Sequence, residues 1–179
     1  MNKIVCVKIT ASELKYAESI AEKFPFVGVS YVRDDRKERV REASSDQITG
    51  QLGNIIGTKF LFGGYFMYRL SRWIADIDPY RGDGGSDVPG AGIDFKTSIM
   101  RYSKNPEAYH LCVRPAERHH NTTYIHILLD MDNMEAFITG WATDDMLPDK
   151  VLDTGPLKGA FVIPVPELKQ IMPMNWFST

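Results

Sequence analysis

The residue types that could do chemistry gather in one stretch, Gly82-Asp83-Gly84-Gly85-Ser86-Asp87-Val88-Pro89-Gly90-Ala91-Gly92-Ile93-Asp94-Phe95-Lys96-Thr97. Read as a hairpin closed by Pro89 to Gly92, it sets Val88 opposite Ile93, Asp87 opposite Asp94 and Gly85 opposite Lys96. Strand alternation then puts Asp87, Asp94 and Lys96 on one face. Directly opposed residues have Cβ atoms about 4.5–5.5 Å apart, where two carboxylates repel. A divalent cation, Mg2+ or Mn2+, would relieve that repulsion, because two hard carboxylate ligands with water in the remaining positions suit it. Lys96 beside such an ion can orient an attacking water and stabilise charge developing on a phosphoryl group. Gly84 and Gly85 leave room for a substrate backbone. The chemistry this arrangement implies is metal-assisted hydrolysis of a phosphodiester. On this reading Asp87→Asn should raise thermal stability in metal-free buffer by relieving repulsion.

A second group of polar residues, Arg118-His119-His120-Asn121 with His126 beyond, reads as an ordinary polar loop, since the other positions of a histidine metal site are not apparent. With Arg114, His119 and His120 are suitable donors to a phosphate backbone. Asp144-Asp145 reads as a helix N-terminus. Trp73, Trp141 and Trp176 read as packing residues.

These groups must be held by regular elements. Thr10 and Glu13 fit a capping box, and Leu14, Ala17, Ile20, Ala21 and Phe24 follow at helical spacing until Pro25. A charged strip at 33–41 holds five basic and three acidic residues and reads as a solvated helical face, with a phosphate-contacting strip as the alternative. Over 44–62, Ile48, Leu52, Ile55, Ile56 and Phe60 keep the helical period, with Gln47, Gln51, Asn54 and Thr58 on the opposite stripe. Gly50, Gly53 and Gly57 each cost about 1 kcal/mol inside a helix, which points to something packing close against it. A further helix is expected over 65–77, ended by Asp78-Pro79. Beyond it the period becomes strand-like at 86–88, 93–99, 109–113, 124–129 and 134–141, read as consecutive strands of one sheet. A last strand at 160–163 runs into a short helix around 166–171.

The bulk properties bound the class. The chain has 179 residues, 44% hydrophobic and 25% charged, enough for one domain with a sizeable core. The longest nearly apolar stretch, residues 60–68, is far short of the roughly 20 residues a membrane helix needs, and no partner membrane is expected. The N-terminus lacks the apolar core and cleavage site of a secretory signal, so an intracellular, cytoplasmic protein is expected. Two cysteines, Cys6 and Cys112, form no metal-ligand or disulfide pattern and read as buried thiols. A net charge of −2 excludes a broadly basic nucleic-acid binder, so any such contact must be local.

Asp87, six intervening residues, then Asp94-Phe95-Lys96, within Gly-Asp-Gly-Gly-Ser-Asp and Ile-Asp-Phe-Lys-Thr, resembles the motif of the PD-(D/E)XK nuclease superfamily, in particular its small bacterial and phage members. The helix around Gly50-Gln51-Leu52-Gly53-Asn54 is similar to the first core helix of that superfamily. Phe137-Ile138-Thr139-Gly140-Trp141-Ala142 looks like a later strand these relatives often carry. The resemblance implies an α/β, restriction-endonuclease-like core: a mixed β-sheet flanked by α-helices, one before the hairpin and one after it. It covers residues 44–171 of a single 1–179 domain and leaves residues 1–43 as an N-terminal extension whose role it does not explain.

Carried over, the resemblance makes Asp87 and Asp94 metal ligands, the Phe95 carbonyl a further ligand and Lys96 the catalytic lysine, with Gln51, Asn54 and Gly85 lining the site. Ser86 stands where the superfamily has proline, and Asn54 where many relatives have a helix glutamate. The implied function is a Mg2+- or Mn2+-dependent nuclease acting on nucleic acid, DNA in particular, in a bacterial or phage-infected cell. Relatives usually act as dimers, although nothing in this sequence specifies an interface. The alternative, motivated by Asn54 and the net charge, is a nuclease-fold protein without chemistry that binds nucleic acid or a protein partner.

Overall fold

A computed structural model describes residues 3–23, 36–63, 87–88, 91–155 and 157–171. Gly85, Trp73, Trp176, the expected helix over 65–77 and the start of the charged strip lie outside these residues. Among those described, the protein is mixed α/β, with a mixed four-stranded sheet and two α-helices.

The first strand, β1 (Val5–Lys8), was not anticipated. It pairs antiparallel with β5 (Glu135–Thr143) and forms one edge of the sheet. Helix α1 (Ala11–Lys23) starts at the expected capping box: the Glu13 carboxylate accepts from the Thr10 N–H at 2.8 Å, and Thr10 Oγ1 accepts from the Glu13 N–H at 3.2 Å. Glu13 also holds Lys59 at 2.6 Å, which ties α1 to α2 (Arg36–Phe62). Burial alone would raise the Glu13 pKa, but Lys59 and Thr10 outweigh it and lower it. Helix α2 ends where the periodicity predicted and begins earlier, taking in Arg36 to Arg41 of the charged strip.

The sheet order is β1-β5-β4-β2, with β2 at Ile93–Ile99 and β4 at Thr123–Asp130. β2 runs parallel to β4, so the chain between them must cross over. That crossover contains β3 (His110–Val113), which leaves the main sheet and pairs antiparallel with β6 (Phe161–Pro164). The expected single sheet of consecutive strands is therefore two sheets. Periodicity identifies a strand without naming its partner, and a parallel β2–β4 pair removes the place β3 would have taken.

Alternation gives the sheet two different faces. On one, Ile93, Phe95, Ile125, Ile127, Leu129, Ala136 and Ile138 pack with Ile9, Ala17, Ile20, Leu52, Ile55 and Ile56 from the N-terminal segment and α2. Full burial of each such aliphatic side chain contributes about 1.5–3 kcal/mol. On the other, Tyr124 and Ala142 pack with Leu111, Val113, Phe161, Ile163, Val165 and Leu168. Both described helices thus serve one face, and the β3–β6 ribbon covers the other. A helix after the hairpin is not found among the described residues. The expected helices at Asp144 and around 166–171 are short 3-10 turns, Asp144–Met146 and Val165–Glu167.

Candidate active site

The site is built where α2 crosses β2. A methyl group at Gly53 would overlap the Thr97 side chain, and one at Gly57 the Phe95 ring, whereas Gly50 faces no atom within 4 Å. Two of the three helix glycines therefore exist to let α2 lie directly on β2. Asn54, between them on the helix, is brought to the edge of β2.

At that edge Val88 bridges Ile93 in antiparallel fashion, as the hairpin reading predicts, and the Asp87 N–H donates to the Ile93 carbonyl at 2.7 Å. The bridge does not continue as regular strand pairing at Asp87. Instead the Asp87 side chain replaces a strand partner: its Oδ2 accepts from the Phe95 N–H at 2.7 Å. Its Oδ1 accepts from the Asn54 Nδ2 at 2.8 Å. Asn54 is buried, and its side-chain amide is the donor that orients Asp87.

Asp94 and Lys96 alternate with Phe95, which places them on the face away from α2. Lys96 Nζ lies 2.9 Å from Asp94 Oδ2 and 3.0 Å from Glu117 Oε2, and 5.9 Å from the centre of the Tyr124 ring. Burial alone would depress the Lys96 pKa, but Asp94 and then Glu117 outweigh it and raise it. Lys96 is therefore a cation at neutral pH.

The polar loop comes to the same place. The Arg114 N–H donates to Glu117 Oε2 at 3.3 Å, which joins the 3-10 turn Pro115–Glu117 to Lys96. Arg114, His119 and His120 are exposed. The His119 N–H donates to the Tyr124 hydroxyl at 2.8 Å, and His120 Nδ1 lies 3.6 Å from Asp144 Oδ2. Arg118 is committed elsewhere, at 2.6 Å from Asp144 and over the Phe161 ring. Gln51 is half-buried on α2, one turn before Asn54.

The residues the sequence reading missed are Glu117 and Tyr124. Tyr124 stands beside Asp94 in the β2–β4 register, which no local pattern discloses. Glu117 reaches Lys96 only because the crossover folds back over the sheet. His126, by contrast, is not part of the exposed loop: it is buried in β4, with Nδ1 at 2.8 Å from Thr139 Oγ1. A cavity of about 300 Å3 lined by Ser45, Ile48, Thr49, Leu52, Ile99, Leu129 and Met131 lies at the other end of β2, and its lining holds no titratable group.

Among the described residues no three His, Cys, Asp or Glu side chains form a group that could hold a metal ion. The donor set still suits Mg2+, which is commonly held by one or two carboxylates with water and substrate phosphate completing its shell. No described helix is long and apolar enough to cross a membrane. Comparison of the chain with protein-family models, curated proteins and solved structures returns no match.

Proposed function

We propose that the protein is a Mg2+- or Mn2+-dependent nuclease, acting on DNA, with Asp87, Asp94 and the Phe95 carbonyl as metal ligands and Lys96 as the catalytic cation. The observation that carries this reading is the Lys96–Asp94 pair on β2 beside the Val88–Ile93 bridge that delivers Asp87. In this proposal the core is of the PD-(D/E)XK type. The β3–β6 ribbon takes the face that a second helix covers in that superfamily.

A divalent ion bound by the two carboxylates would supply an activated water and neutralise charge on the phosphoryl oxygens. The chain's own residues provide orientation. Asn54 and the Phe95 N–H fix the Asp87 carboxylate, so its position does not depend on the ion. Lys96, held charged between two acids, stabilises negative charge developing at the scissile phosphate. Arg114, His119 and His120 rim the site as donors to the flanking phosphate backbone.

The test is cleavage of supercoiled plasmid, linear duplex and single strands in Mg2+, Mn2+ or EDTA. Metal-dependent cutting is expected from the wild type, with a loss of at least about a hundredfold in Lys96→Met. Both proteins should melt cooperatively. A second reading, a nuclease-fold binder without chemistry, is favoured by Asn54 occupying Asp87. Retarded DNA that stays intact in every metal, with binding unchanged by EDTA, would establish that reading and exclude the enzyme.

A further inference from the structure

We infer that Glu117 is a positioning residue for Lys96, holding the ammonium in place so that Asp94 can turn its carboxylate to a divalent cation. This rests on the proposal that Asp87 and Asp94 are cation ligands.

An ammonium has three donors, and Lys96 spends them on two acids of different character. Asp94 is on the same strand, two residues away, and its side chain is 13% exposed. Glu117 comes from the crossover and is 40% exposed. Its carboxylate is fixed by its own turn: Oε2 accepts from the Arg114 N–H at 3.3 Å while the Glu117 N–H donates to the Arg114 carbonyl at 2.9 Å. The turn is fixed in its place on the sheet by the Tyr124 hydroxyl, which accepts from the His119 N–H and lies 3.3 Å from the Glu117 carbonyl. Glu117 is thus an anchor built independently of Asp94.

The consequence concerns competition for Asp94. A cation taken up by Asp94 draws that carboxylate from Lys96 and repels the ammonium. With Glu117 present, Lys96 keeps a charged partner 3.0 Å away throughout. Without it, Lys96 has Asp94 as its remaining carboxylate partner among these contacts, and the lysine competes with the cation for the same oxygens.

The experiment is titration of the full chain with Mn2+, read as the electron-paramagnetic-resonance signal of unbound ion, without nucleic acid. Four proteins are compared: wild type, Glu117→Gln, Lys96→Met and the double variant, each checked for cooperative melting, with Glu117→Ala replacing Glu117→Gln if the latter does not fold. Glu117→Gln is expected to weaken Mn2+ binding by about three- to tenfold, and to have no further effect in the Lys96→Met background, because its action runs through the lysine. Equal affinity in wild type and Glu117→Gln overturns the inference while leaving the metal site standing. Weakening that persists undiminished with Met at 96 also overturns it, since Glu117 would then act on the ion directly. Absence of Mn2+ binding in all four removes the metal site and this inference together.

Discussion

The Asp87 carboxylate accepts from the Asn54 amide and from the Phe95 N–H. Asparagine at this position would offer one acceptor oxygen and turn its NH2 toward the other donor. Buried donors left without an acceptor cost about 1–3 kcal/mol each. Asp87→Asn is therefore expected to lower stability in metal-free buffer by about that amount, measured by urea unfolding in EDTA. This reverses the direction that strand alternation alone implies, because alternation counts the charge of Asp94 and not the donors that α2 delivers. A rise in stability would mean that repulsion between Asp87 and Asp94 outweighs both hydrogen bonds.

At the scale of the element, α2 and β2 form one unit. The helix lies so close that Thr97 and the Phe95 ring fill the space that side chains at Gly53 and Gly57 would need. Gly50→Ala, with open space around it, should stabilise the protein by about 1 kcal/mol through helix propensity. Gly57→Ala gains the same propensity but pushes against Phe95, and overpacking costs about 1–3 kcal/mol, so a net destabilisation is expected. Urea unfolding of the two variants gives the comparison. Equal stabilisation by both would show that β2 yields easily. The three glycines were legible in the sequence as a sign of close approach. Which of them makes it was not, because that depends on the angle at which the helix crosses the strand. Gly140 is a similar case: its φ of 149° and missing Cβ admit Leu168 and the Lys169 carbonyl beside β5, a contact no local pattern announces.

Across the whole molecule, the sheet lies between helices on one face and a β-ribbon on the other, and that enclosure sets the pH dependence of stability. His126 is fully buried, its Nε2 has no hydrogen-bond partner among the described residues, and burial, with His110 contributing, lowers its pKa to about 3. In the unfolded chain a histidine titrates near about 6.5. Between these values the unfolded chain takes up a proton that the folded chain refuses, so stability falls as pH falls through that window. As pH falls from about 6.5 to about 5, the loss from His126 should approach about 1.4 kcal/mol per pH unit. Urea unfolding at several pH values should show this slope in the wild type and a flatter one in His126→Gln. The same slope in both would mean that His126 takes up its proton in the folded state.

What the sequence determined by itself is local: the capping box of α1, the apolar stripe of α2, the antiparallel Val88–Ile93 bridge and the strand character of β2 to β6. Each follows from backbone preferences and a hydrophobic period spanning a few residues, so each is written in contiguous chain. Asp94 and Lys96 were likewise legible, because two residues apart on a strand share a face. The tertiary structure decided everything that joins distant segments. It moved β3 out of the main sheet, added β1 to its edge and packed α1 into the same core as α2, turned Asn54 onto Asp87, and brought Glu117 to Lys96. None of these has a local signature. Hydrophobic burial does not specify partners, and which polar groups meet is settled only when the packed elements leave each buried donor one acceptor within reach.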